Sequence, residues 1–324
     1  MRRIQIKIWP EVDSQYPAII SLERIDRNKK NPIDIDFTNA YKISSTGLNI
    51  LLLNLIKISQ DLSNHEWDII PPKNIQLNQT IKDLNFYSLL ITRVPNQNLF
   101  WATELNRKLT IDPIIEEKSP CHSKKCYPIY ELDFVNNINE KRKIVEKFKQ
   151  FLIQELFFLQ DKHDFDLSIF IQVLIEMAKN SADHTDSNAY FGLDIISQKD
   201  KIKIYFSFGD IGNGINQTIR KFIKHDSTFK EKEKHLALTD SYHWALQIGN
   251  TTKPYSNINK GIGMSTIFNL SKQLKFSLSV FDAESRGILS FAENLTHVEL
   301  RKIFYAIGFK VGFYYYGETE INIL

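Results

Sequence analysis

The sequence predicts an α/β (α+β) chain of two domains, the larger one a layer of helices packed on a sheet. Three observations predict it. Short runs such as RRIQIKIW and KIKIYFSFG alternate apolar and polar residues as strands do. NEKRKIVEKFKQFLIQELFFL and DLSIFIQVLIEMAKNSADH place apolar residues at helical three-to-four spacing. The length, 324 residues at 43% hydrophobic and 24% charged, suffices for about two cores. Lys+Arg 41 against Asp+Glu 38 leaves a net charge of +3, too small to serve as an electrostatic footprint for nucleic acid or an anionic membrane. The longest apolar runs, LNILLLNLI and FLIQELFFL, fall short of the roughly 20 residues of a membrane span, and MRRIQIKIW lacks the apolar core of a signal peptide. A cytoplasmic location is expected on both counts.

Residues 1–105 read as a small mixed domain. RRIQIKIW and PIDIDF are strands, GLNILLLNLIKIS is a helix apolar on most of its surface and therefore buried, and TIKDLNFYSLLI is a second helical stretch. Residues 106–137 form a linker, in which the polar loop CHSKKC leads into the strand-like YPIYELDF. Cys121, His122 and Cys126 have the wrong spacing for a zinc knuckle and no second ligand pair, which leaves two reduced thiols in a loop. Residues 138–324 form the second domain, read as helices followed by the strands AYFGLDIIS and KIKIYFSFG. In the latter, Ile202, Ile204, Phe206 and Phe208 share a covered face, and Lys201, Lys203, Tyr205 and Ser207 share the other. An irregular, charged stretch over about 215–260 comes next, then the helix GIGMSTIFNLSKQL and the strands KFSLSVFD, GILSFAE and VGFYYYGETEINIL, the first two joined by the turn AESRG.

Three motifs carry chemistry. Glu176 and Asn180 lie four apart on one face of an apolar helix, where Asn180 can offer an amide oxygen to magnesium and Glu176 can orient or deprotonate a nucleophile. A helix edge emerging into solvent at KNSADH would also account for them. Asp210 ends a strand, where its carboxylate can accept from an exocyclic amine, and Gly212 and Gly214 allow backbone to approach a flat ring. An ordinary turn accounts for the glycines alone. Gly261 and Gly263 open a helix, whose free amides and dipole suit a phosphate. The long segment between the second and third motifs has the length of a functional lid.

In this order, Glu-x-x-x-Asn, Asp-x-Gly-x-Gly, lid and Gly-x-Gly resemble the GHKL superfamily, the Bergerat-fold ATPases of gyrase-type, mismatch-repair, chaperone and histidine-kinase proteins. The resemblance implies a two-layer, helix-on-mixed-sheet fold over residues 138–324 that binds ATP and Mg2+. It makes Glu176 the candidate catalytic base and Asn180 the magnesium ligand. Asp210 would read the adenine amine, with Gly212 and Gly214 beside it, and Gly261 and Gly263 would lie near the phosphates. GETEINIL resembles the family's last strand, whose Gly-Thr pair is interrupted here by Glu318; Thr319 is the candidate adenine contact. TDSYHWALQIGNTTK resembles the lid helix and following turn, with Lys253 as a candidate phosphate contact.

The N-terminal run Ser44-Ser45-Thr46-Gly47-Leu48, opening an apolar helix, resembles the STAS domain of anti-sigma-factor antagonists, with Ser44 in place of the usual aspartate. That resemblance makes Ser45 a candidate phospho-acceptor, although these hydroxyls also suit a helix cap. None of the eight histidines sits in a phospho-acceptor setting, which argues against a sensor kinase. The chain ends at the last strand with no transducer domain after it, so whatever uses the ATP is expected to be N-terminal or another molecule. The expectation is an ATP-binding regulatory protein with slow hydrolysis, lid closure and a protein partner in signalling. Two alternatives stand beside it, a serine kinase of the anti-sigma-factor type and a non-catalytic, nucleotide-dependent interaction module. The N-terminal domain is left as substrate, sensor or homodimer surface.

Overall fold

The computed structural model describes residues 4–7, 31–62, 65–94, 123–134, 138–160, 165–185, 187–225, 244–245, 263–274, 277–282, 287–291, 299–302 and 313–322. In the N-terminal part, β1 (Ile4–Lys7), β2 (Ile33–Asp36) and β3 (Trp67–Ile70) form a parallel sheet in that order. Helix α1 (Ser45–Asp61) connects β2 to β3. Its N-cap is Ser44, whose hydroxyl accepts from the Gly47 amide at 3.0 Å, so the Ser/Thr run does cap the helix. The second helical stretch is two helices, α2 (Ile75–Asp83) and α3 (Phe86–Arg93). They break at Asn85, which adopts a left-handed conformation with φ 62°, one that asparagine tolerates better than most residues.

The C-terminal part contains β4 (Ser123–Cys126), β5 (Tyr130–Leu132), α4 (Ile138–Leu156), α5 (Leu167–His184), β6 (Ala189–Ser197), β7 (Lys201–Asp210), α6 (Ile215–His225), α7 (Gly263–Gln273), β8 (Ser277–Asp282), β9 (Gly287–Phe291), β10 (Glu299–Lys302) and β11 (Phe313–Asn322). The strands make one eight-stranded sheet in the order β10-β9-β8-β11-β7-β6-β4, with β5 also paired to β6. Every pairing in it is antiparallel, which corrects the expected mixed sheet. A second correction concerns the expected linker, since its residues 123–126 and 130–132 supply two strands of this sheet. Within the expected lid, Ile215–His225 is helical, and Ile219 and Ile223 are buried one turn apart.

The core lies between the sheet and α4, α5 and α7. Phe191, Leu193, Ile204, Phe206 and Phe208 point into it from β6 and β7, and Phe148, Phe170, Leu174 and Met177 meet them from α4 and α5. Edge-to-face ring pairs, Phe148 on Phe191 with centroids 5.1 Å apart and Phe170 on Phe206 at 5.6 Å, fix the packing. Such pairs add about 0.5–1.5 kcal/mol each beyond burial.

The opposite face of the sheet is also covered, which corrects the two-layer expectation. Alternation sends Tyr190, Gly192 and Asp194 of β6 and Ser207 of β7 to that face. Helix α1 lies across them. The Asp194 carboxylate, buried, accepts from the Ser45 amide at 2.9 Å, the Thr46 amide at 2.9 Å and the Thr46 hydroxyl at 2.7 Å. The Asn49 amide donates to the Tyr190 carbonyl at 3.2 Å and the Ser207 hydroxyl at 3.0 Å. A helix covered by its own sheet on one side and by the large sheet on the other must be apolar nearly all round, which explains LNILLLNLI.

A second tie joins α3 to β5. Arg93 donates to both oxygens of Glu131, at 2.8 and 3.0 Å, and Asn188 donates to the same carboxylate at 2.8 Å. Burial by itself would raise the Glu131 carboxyl, but these hydrogen bonds hold it below the usual 4.5.

At Gly192 the two parts approach closely. A Cβ there would lie 2.7 Å from the Ser45 carbonyl oxygen and 2.8 Å from the Ser207 hydroxyl. Gly192→Ala is therefore expected to lift α1 from the sheet and cost about 1–3 kcal/mol, as overpacking does. Denaturant unfolding of the two proteins checks it, and an unchanged midpoint would contradict the close contact.

Candidate functional site

Three segments distant in sequence meet at one end of the large sheet. Helix α5 starts at Asp166, whose carboxylate accepts from the Ser168 and Ile169 amides at 2.9 and 3.1 Å. Lys141 of α4 grips its other end, donating to the carbonyls of Ala182 at 3.1 Å and Thr185 at 2.8 Å. A cation at a helix C-terminus satisfies carbonyls that have no helical partner and complements the dipole. Held at both ends, α5 presents Glu176, Asn180 and Ser181 at fixed heights.

Strand β7 delivers Asp210, which is 5% exposed, to the same place. Ser181 donates to Asp210 Oδ2 at 2.7 Å, and the Gly212 amide donates to Asp210 Oδ1 at 2.9 Å. The first bond ties helix to strand, and the second closes the turn that follows the strand. Gly212 has no room for a side chain, since a Cβ would lie 2.4 Å from Thr185 Oγ1 and 2.8 Å from Thr185 Cβ. Gly214 has φ 67°, which favours glycine for backbone reasons.

Gly263 opens α7 directly against Asn180. A Cβ on Gly263 would lie 2.4 Å from Asn180 Oδ1. Asn180 Nδ2 is buried and makes no hydrogen bond among the described residues. The polar group beside it is the Tyr315 hydroxyl. Glu176, one turn earlier with its side chain 17% exposed, pairs with Lys179 at 2.7 Å.

The structure thus gathers Glu176, Asn180, Asp210, Gly212 and Gly263, with Gly214 in the adjoining turn. It does not gather Thr319. Strand β11 runs antiparallel to β7 with Phe313 opposite Asp210 and Thr319 opposite Ile204. Six residues of strand, about 20 Å, separate Thr319 from the aspartate. Gly317 has a packing role, because the Phe206 ring would lie 2.3 Å from a Cβ there. Ser45 is not at the site either. It is fully buried against β6, and its hydroxyl accepts from the Leu193 amide at 3.3 Å, so this candidate phospho-acceptor is closed off from solvent. Lys253 and Gly261, and most of the expected lid, lie outside the described residues.

Tyr315 takes a place that sequence reasoning missed. It stands on β11 opposite Phe208 and donates its hydroxyl to Met264 Sδ at 3.2 Å. Burial pushes its phenol well above 10.0, the nearby Asn180 amide opposes that shift, and the Asp210 and Glu176 carboxylates reinforce it. Tyr315 therefore stays a neutral donor. The signal was its parity with Ile321 along an aromatic strand, but the register that brings it to Asn180 comes from pairing with β7. Ser181 and Lys141 were also missed, because each acts on a residue far along the chain.

The two crowded glycines differ in what surrounds them. Asn180 can swing its amide away from a new methyl group, whereas Thr185 is held through its own carbonyl by Lys141 and meets the methyl group with its Cβ. Gly212→Ala is accordingly expected to cost about 1–3 kcal/mol and Gly263→Ala less than about 1 kcal/mol. Thermal unfolding of both variants checks the order, and the reverse order would contradict this picture of the site. No protein-family model, curated protein or solved structure matches this chain.

Proposed function

We propose that the chain is a regulatory protein that binds ATP with magnesium at the cluster formed by Asn180, Asp210, Gly212 and Gly263, in the manner of the GHKL ATPases its motifs resemble. The observation that carries this reading is the convergence itself. Ser181 joins the helix of Asn180 to Asp210, while Asn180 packs on Gly263 at the start of the next helix. Asp210 is held by the Ser181 hydroxyl and the Gly212 amide, one on each oxygen, and a carboxylate so oriented is the kind of acceptor an exocyclic amine pairs with. The start of α7 offers amide groups and the positive end of a helix dipole to phosphate oxygens.

The residues suit magnesium. Asn180 carries a hard amide oxygen, which packs where a Cβ on Gly263 would stand. No group of three or more His, Cys, Asp or Glu side chains fit for a metal stands among the described residues, so an ion held by Asn180 would take its other oxygens from phosphates and water. Magnesium would supply neutralisation of phosphate charge.

Glu176 is the candidate base, yet its carboxylate is paired with Lys179, and a base engaged by a cation accepts a proton less readily. This pairing favours slow hydrolysis, and it also favours the second reading, a nucleotide-dependent interaction module without turnover. Phosphorylation at Ser45 is disfavoured by its burial. No helix among the described residues is long and apolar enough to cross a membrane.

Calorimetric titration with Mg-ATP tests the reading. Wild type is expected to bind, and Asn180→Ala and Asp210→Asn are each expected to weaken binding about tenfold or more, the worth of one hydrogen bond to a charged group. No heat from wild type, or equal affinity in both variants, would overturn the assignment. Phosphate release that vanishes in Glu176→Gln while binding persists marks the enzyme; no release from wild type marks the module.

A further inference from the structure

The peptide group between Ile211 and Gly212 is held from both sides. Its N–H, on Gly212, donates to Asp210 Oδ1 at 2.9 Å. Its carbonyl, on Ile211, accepts from Lys57 Nζ at 2.9 Å. Lys57 belongs to α1, the helix of the N-terminal part that crosses the back of the sheet. The Ile211 side chain also leaves the site and packs on the N-terminal hydrophobic core. One turn of backbone therefore connects the candidate nucleotide aspartate to a different part of the chain.

We infer that Lys57 is a positioning residue through which the N-terminal part sets the affinity of the nucleotide site, an inference that rests on the reading of Asp210 as the adenine contact. A cation on the carbonyl side of a peptide polarises its N–H, and hydrogen bonds in such a chain strengthen one another. With Lys57 in place, the Gly212 amide is aimed at Oδ1, which fixes the Asp210 carboxylate between that amide and the Ser181 hydroxyl. Without it, the peptide can rotate and the carboxylate loses the restraint that the Gly212 amide supplies. The position of Lys57 is itself set by the seating of α1, whose first turn is pinned by Asp194 and whose second turn is pinned through Asn49. Contacts along a rigid helix thus run from mid-sheet to the turn beyond β7. Coupling of this kind is reciprocal, so a nucleotide that prefers the ordered turn also favours the seated helix. Anything that lifts α1 would release nucleotide.

The test is Mg-ATP affinity measured on the full chain, with thermal midpoints alongside. Lys57→Met keeps the aliphatic stem and removes the cation, and it is expected to weaken binding about fivefold or more. Lys57→Arg, which can still donate to the carbonyl, is expected to restore it. Asp194→Asn, remote from the turn, should weaken binding in the same direction. Ile81→Val, a conservative change in the N-terminal core away from the sheet, should leave affinity unchanged and so separates coupling from lost stability. If wild type binds and Lys57→Met binds equally well, the coupling is wrong and the site stands. If Ile81→Val weakens binding as much as Lys57→Met, the effect is loss of stability and the coupling is wrong. If wild type does not bind, the site assignment fails and the coupling with it.

Discussion

A single buried carboxylate, Asp194, decides how the two parts of the chain fit together. Removing a carboxylate from water costs several kcal/mol unless donors replace the lost hydration. Here the replacements are two amides from the first turn of α1 and the hydroxyl of Thr46. Helix α1 gains as well, since the first amides of any helix have no internal partner. Neither part satisfies these groups alone. The contact can be this close only because position 192 on the same strand is glycine and the Ser45 carbonyl lies against it.

The site at the other end of the sheet follows from the same economy of strand alternation. Residues of β6 and β7 that face one way pack on α4 and α5, and those that face the other way meet α1. Asp210 is the last residue of β7 on the inner face, where the sheet runs out and α5 ends. A carboxylate is tolerable there because Ser181 and Gly212 reach it. Ile211, next in the chain, points to the outer face and joins the N-terminal core. The turn between them belongs to both halves, which makes it the natural place for one half to influence the other.

Much of this was legible from local pattern. Glu176 and Asn180 fall on one helical face by spacing alone, and the even residues of KIKIYFSFGD lead to Asp210 on the covered side of the sheet. Features set by distant partners were not legible. The pairing of 123–126 and 130–132 with β6 joins them to residues 189–197, far along the chain, and a four-residue run such as SKKC has no strand signal of its own. Thr319 was selected by its neighbours in sequence, while register gives the place beside Asn180 to Tyr315. The burial of Ser45 was not legible either, because nothing nearby in sequence covers it; Asp194 and Leu193, almost 150 residues later, do. In α6 the helical signal is present in Ile215, Ile219, Phe222 and Ile223, but the charged residues between them mask it.

Hydrogen exchange of the full chain with and without Mg-ATP is the measurement closest to the central claim, because it reads all the segments at once. Simultaneous slowing in 176–185, 206–214 and 263–268 is predicted, with slowing also in the second half of α1 near Lys57. Unchanged exchange in these segments, or slowing confined to one of them, would contradict a nucleotide site built where α5, β7 and α7 converge.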